Sequence, residues 1–170
     1  MRLLLDVNVW VALLDDAHIH NIQALALFTR PKLKIASCAL TENGVLRMLN
    51  LPGYAKRAPP GFDVVRLKLA LAFSDVDHEF WPCSISLQDD DVLNWARIMG
   101  HNQTTDAYLL PSALHHGGAL ASFDQRAALS GVPGAAAKHL QLLSKPELRS
   151  KITPKNRRLF QPNQSRINCP

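Results

Sequence analysis

Arg2-Leu3-Leu4-Leu5-Asp6-Val7-Asn8-Val9-Trp10 is the stretch that decides the fold of this 170-residue chain. Three leucines without polar alternation are the pattern of a short strand covered on both faces of a parallel sheet. Asp6 falls where that strand must end, and residues 9–14 then read as a short apolar helix. In open parallel sheets, ligands and chemistry gather outside the carboxyl ends of the strands. A carboxylate buried there is costly unless a cation or hydrogen bonds satisfy it. The simpler reading of Asp6 is a cap for the helix that follows it.

Working outward, residues 18–30 carry helical spacing with Ile22, Leu25, Ala26 and Phe28 on the inward face, and Pro31 ends the run. Residues 34–37 form a second strand. Thr41 is placed to cap a helix over 42–50, with Val45, Leu46 and Leu49 apolar. Pro52-Gly53 and Pro59-Pro60-Gly61 mark 51–60 as a loop. A helix follows over 63–74, its apolar side Val64, Leu67, Leu71 and Ala72, and 80–87 holds a short edge strand broken by Pro82. Asp89-Asp90-Asp91 opens a helix over 92–99, where acids suit the positive end of the helix dipole. A further helix covers 103–116, capped by Thr104 or Thr105 and stopped by Gly117-Gly118. Residues 119–123 and 140–143 complete the strands. Strands alternating with helices predict a three-layer α/β/α fold with a central parallel sheet.

The net charge of +5 is not a property of the whole chain. Residues 145–170 hold seven Lys and Arg against Glu147, a surplus of six, so residues 1–144 sum to −1. The division expected is one domain over 1–144 and a basic, poorly ordered tail over 145–170, poor in aliphatics and rich in Pro, Asn and Gln. No apolar run reaches the roughly 20 residues of a membrane span, and no signal-peptide layout opens the sequence. A cytoplasmic protein is the expectation. Cys38, Cys83 and Cys169 are odd in number and widely spaced, which predicts buried thiols rather than disulfides or a zinc site.

Four acids stand at equivalent places in this pattern. Asp6 and Asp124 end strands, whereas Glu42 and Asp106 open helices that follow the sheet. A doubly wound sheet puts those positions on one rim. Carboxylates that converge repel one another unless a cation neutralises them. Oxygen donors without neighbouring Cys or repeated His select Mg²⁺ or Mn²⁺, as metal-assisted phosphodiester hydrolysis requires.

Leu5-Asp6-Val7-Asn8-Val9-Trp10, Thr41-Glu42 with Leu46-Arg47, Thr105-Asp106-Ala107-Tyr108-Leu109 and Gly118-Ala119-Leu120-Ala121-Ser122-Phe123-Asp124 occur in the order of the signatures of PIN-domain nucleases. Together with His18, Phe80-Trp81-Pro82 and Gly100-His101, they resemble the VapC-type toxins of prokaryotic toxin–antitoxin pairs over about residues 1–143. The resemblance implies a PIN-like fold and a Mg²⁺- or Mn²⁺-dependent endoribonuclease, a homodimer neutralised by a cognate VapB-like antitoxin. It points to structured RNA loops such as those of tRNA or rRNA, cut to leave 5′-phosphate and 3′-hydroxyl ends. Carried over by position, Asp6, Glu42, Asp106 and Asp124 form the acidic quartet. Asp6 and Asp106 would contact metal directly; Glu42 and Asp124 would act through water, on a second ion or on the nucleophile. Asn8 and Ser122 would fix the acids, with helix capping the alternative for Asn8, while Thr41 and Thr105 are read as caps.

Two features depart from that family pattern: the basic tail, to which no role is assigned, and Pro111, which should kink the helix after Asp106. Arg47 is read as a solvated helix-face residue, with phosphate or antitoxin contact as the alternative. His18 and His20 are read as helix-start or surface residues, with catalysis the alternative, His115 and His116 as structural, and Trp10, Trp81 and Trp95 as core or dimer-contact residues. The rival from another class is a catalytically silent PIN scaffold that only binds a partner. A phosphatase using Asp6 as nucleophile is disfavoured, because such sites want a second acid where this chain has Asn8.

Overall fold

The computed structural model describes residues 1–54, 58–98, 100, 104–124 and 129–143. The tail over 145–170, Cys169, His101 and Gln103 therefore lie outside the described residues. Strand β1 (Leu3–Leu5) leads into helices α1 (Val7–Leu14) and α2 (Asn21–Phe28), strand β2 (Lys34–Ser37), and helices α3 (Ala39–Leu49) and α4 (Phe62–Ser74). Strand β3 (Asp77–Phe80), helix α5 (Thr104–His115) and strands β4 (Ala119–Ser122) and β5 (Leu140–Leu142) follow. The strands pair in the order β3-β2-β1-β4-β5, every pair parallel. The chain winds outward from β1 to β3 and then crosses back to β4 on the other side of β1. The switch point thus lies between β1 and β4, directly at Asp6.

Pleating explains the two packed layers. Leu3 and Leu5 join a core with Ala119 and Ala121 and the inner faces of α1 to α4. Leu4 and Leu120 face the opposite way, against Leu109, Leu110 and Ala113 of α5 and against Trp81 and Leu93. All three β1 leucines are buried, as their unbroken apolar run predicts. Trp10 is buried beside the ring edges of Phe28 and Phe73, with centroids 6.0 and 5.3 Å away.

Several expectations need correction. The edge strand is Asp77–Phe80 rather than a segment within 80–87. Its residues are polar up to Phe80, and Arg2 anchors it: the guanidinium donates to the Ile35 and Asp77 carbonyls and pairs with Asp77 and Glu79, each ion pair at 2.8 Å. The acids at 89–91 open turns and a 3₁₀ helix (Trp95–Arg97), where an α-helix was expected from residue 92. Helix α2 buries Gln23, Ala24 and Leu27 while Ile22 is exposed. Helix α4 buries Val65, Leu69 and Ala72, leaving Val64, Leu67 and Leu71 outside. Cys38, not Thr41, is the N-cap of α3, and the Thr41 hydroxyl reaches back to the Cys38 amide at 3.0 Å. Thr105 lies within the first turn of α5. Cys83 is exposed, as is Trp95, whose indole donates to the Leu87 carbonyl. Pro111 is buried inside α5, which runs on past it as a single helix; having no N–H, Pro111 leaves the Ala107 carbonyl without its helical donor.

Gly118 marks the tightest crossing in the sheet layer. A Cβ there would lie 2.5 Å from the Trp81 ring and 2.7 Å from the Arg2 carbonyl oxygen. Gly118→Ala should therefore lower stability by about 1–3 kcal/mol through overpacking. Urea unfolding checks this, the expected result being a lower midpoint at an unchanged slope.

Candidate active site

Asp6 ends β1 and is almost fully buried, at 3% exposure. Its amide donates to the Ala121 carbonyl at 3.0 Å, so β4 grips it at the switch point. The Ser122 hydroxyl donates to Asp6 Oδ2 at 3.0 Å and accepts from the Asp124 amide at 3.0 Å. One side chain at the end of β4 thereby fixes the carboxylate of one acid and the backbone of another. Burial pushes the Asp6 carboxyl above its ordinary range, with the Asp124 charge adding to the rise. Hydrogen bonds from Ser122 and from the Val7 and Asn8 amides oppose that rise.

Asp106 arrives from the other layer, in the first turn of α5, and is also buried. Burial, then the charges of Asp6 and Asp124, push it up to about 7. These three acids share a cleft of about 290 Å³ lined also by Val7, Asn8, Thr105 and, from α3, Leu40, Asn43, Gly44, Arg47 and Met48. Asn8 and Thr105 are exposed on its walls. Two other hollows lack this character. One, of about 260 Å³, lies under the loop after α3; the other, of about 510 Å³, lies among Arg30, Lys32, Lys34 and Asp77.

Glu42 departs from the expected convergence, for it does not line that cleft. Its carboxylate accepts from the Ser37 hydroxyl at 2.6 Å, and Ser37 Oγ also meets His78 Nε2 at 2.9 Å. Since the Ser37 proton goes to Glu42, His78 must be the donor to Ser37. The His78 ring stacks on Phe73 at 3.8 Å, and burial holds its pKa below the usual imidazole value. Glu42 is thus tied toward β3, on the same rim but one strand removed from Asp6. Thr41 is buried in the turn that opens α3 and does not line the cleft.

The histidines noted in the sequence lie elsewhere. His20 precedes α2 and stacks on Phe123 with centroids 4.5 Å apart. His116 stacks on Trp81 at 4.7 Å. The residues that sequence reasoning undervalued are Asn43 and Arg47. Their spacing of four on α3 was the available signal, because it puts them on one helix face.

The donors suit a hard divalent cation. All are oxygens, and two of the three acids are held at raised pKa by burial and mutual charge. Among the described residues no three His, Cys, Asp or Glu side chains stand at ligating spacing of one point.

The PIN domain family matches residues 3–132. Ribonuclease VapC44 of Mycobacterium tuberculosis is 42% identical over 146 residues, spanning 84% of this chain and all of that protein. Ribonuclease VapC38 of the same species is 40% identical over 122 residues, covering 71% of this chain and 84% of its own. Ribonuclease VapC29 is 35% identical over 124 residues, covering 73% and 86%.

A raised carboxyl pKa means that the folded protein binds protons more tightly than the unfolded chain between about pH 4 and pH 7, so stability falls as pH rises through that window. Metal-free protein should accordingly unfold at lower urea at pH 7.5 than at pH 5.5. Asp106→Asn should raise stability at pH 7.5 by on the order of 1–2 kcal/mol and flatten that dependence. Urea titrations in chelator at the two pH values check both.

Proposed function

The chain belongs to the PIN-domain family, among its VapC-type nucleases, and on that premise we propose a divalent-metal-dependent endoribonuclease toxin held in check by a cognate antitoxin. The observation that carries this reading is the meeting of Asp6, Asp106 and Asp124 in one cleft at the sheet's switch point. The ribonuclease names of the relatives agree with it.

In this proposal Asp6 and Asp106 hold the metal, with Asp124 beside them. A Mg²⁺ or Mn²⁺ ion supplies the positive charge that lets these acids ionise together, and the Lewis acidity for water to attack a phosphodiester. Ser122 keeps Asp6 in its rotamer and the Asp124 backbone in place, as outer partners of metal ligands do. Asn8 and Thr105 line the mouth, where their polar groups can meet substrate or orient water. Glu42, secured by Ser37, acts one step away through water. The substrate is an RNA loop of the tRNA or rRNA kind, and attack by water in line leaves a 5′-phosphate and a 3′-hydroxyl. A homodimer, with an antitoxin covering the cleft, completes the reading. Among the described residues no helix is long and apolar enough to cross a membrane.

Incubation with total bacterial RNA, followed by sequencing of the new 5′ ends, tests the proposal. Cleavage should need Mg²⁺ or Mn²⁺, vanish in chelator, and be lost with growth arrest in Asp6→Asn and Asp106→Asn proteins that remain folded. Ser122→Ala should weaken metal binding and cleavage by about 10–100-fold. Metal-independent cutting, or full activity in either Asp variant, would contradict the assignment. Tight RNA binding without cleavage under any metal would favour the silent-scaffold alternative.

A further inference from the structure

Arg47 is the one cationic side chain among the described residues that line the acidic cleft. It projects from the last turn of α3, is exposed, and takes part in no ion pair among the described residues. Asn43 stands one helical turn before it on the same wall. Gly44 lies between them and explains their nearness to the acids. A Cβ on Gly44 would fall 2.6 Å from Val7 Cγ2, so α3 is pressed against the turn that carries Asp6 and Asn8. The cleft consequently has two unlike walls. Asp6, Asp106 and Asp124 supply negative charge from β1, α5 and the end of β4, while α3 supplies an amide and a guanidinium.

We infer that the Asn43–Arg47 face of α3 is the phosphate-binding wall of the cleft and holds a backbone phosphate of single-stranded RNA beside the acids. The inference rests on the ribonuclease reading and deepens it by assigning the substrate's anionic backbone to one wall. A phosphodiester approaching three carboxylates is repelled, and a metal ion can compensate only at the phosphate it touches. A guanidinium across the cleft gives the strand a second anchoring point. Arg presents paired N–H donors that match two phosphate oxygens, and the Asn43 amide can donate to the same or the next phosphate. The dipole of α3 also favours a cation in its last turn, yet it does not require that cation to face the acids. Arg47 is on this account a positioning residue, since the reacting atoms are held by the opposite wall.

The test uses full-length Asp106→Asn protein as the non-cutting parent, compared with the same protein carrying Arg47→Ala or Arg47→Lys. Binding of fluorescently labelled oligouridylate is followed by anisotropy over a series of salt concentrations, and thermal melts establish that every variant is folded. Arg47→Ala should weaken binding about tenfold. It should also reduce the slope of log affinity against log salt by roughly 0.7, the value of one phosphate contact on a single strand. Arg47→Lys should retain the slope and recover part of the affinity. With Asp106 intact, Arg47→Ala should raise KM for RNA cleavage far more than it lowers kcat. No binding by the parent, or equal affinity and slope with and without Arg47, overturns the inference. The anisotropy result decides this question even if the unaltered protein cuts no RNA, a failure that would count against the hydrolytic reading alone.

Discussion

A carboxylate buried at the point where β1 and β4 part is the constraint on which this structure depends. Asp6 cannot be left charged and dry without compensation. What surrounds it supplies partial compensation: the Ser122 hydroxyl and the amides at the start of α1. The same surroundings bring Asp106 and Asp124 close enough to raise the cost again. A fold selected for stability alone would replace these groups with apolar ones, which buried charges commonly permit. Their retention together is the physical argument for a site that gains a cation.

The rest of the architecture serves that junction. Ala119 and Ala121 on one face of β4 are small, and Gly44 removes a side chain where α3 meets Val7. Gly118 likewise makes room for Trp81 and the Arg2 carbonyl at the other end of β4. These small residues bring the two helical layers onto the short central strands without overlap. Arg2, immediately before β1, meanwhile ties the edge strand into the sheet through Asp77 and Glu79. The Ser37 link between Glu42 and His78 adds a separate polar connection on the same rim.

Much of this was legible in the sequence, and the failures have identifiable causes. The strand 34–37 and the last strand were readable because short apolar runs stood between clear breakers. The inward faces of α2 and α4 were read only in part, Leu25, Phe28 and Ala72 correctly and Ile22, Val64, Leu67 and Leu71 not, because both helices are apolar on more than one side. In α4, Val64, Leu67 and Leu71 form a stripe as regular as the buried one of Val65, Leu69 and Ala72. The edge strand Asp77–Phe80 gave little hydrophobic signal, since it is mostly exposed and held by backbone pairing with β2, with Arg2 bound to Asp77 and Glu79. Asp6, Asp106 and Asp124 could be placed on one rim from topology alone. The direction of Glu42 could not, because it depends on a hydrogen bond to Ser37 that no periodicity encodes. Arg47 was visible only as a helix-face residue, and Asn43 not at all, until the packing of Gly44 on Val7 showed where that face points.

On this reading Asp6, Asp106 and Asp124, carried by separate elements, form one cation site. Crystals grown with Mn²⁺, with diffraction collected to reveal its anomalous scattering, test it most directly. A strong peak is expected in the cleft within bonding distance of the Asp6 and Asp106 carboxylates, and no such peak in Asp6→Asn crystals. A cleft without manganese while the ion is ordered elsewhere on the protein would contradict it.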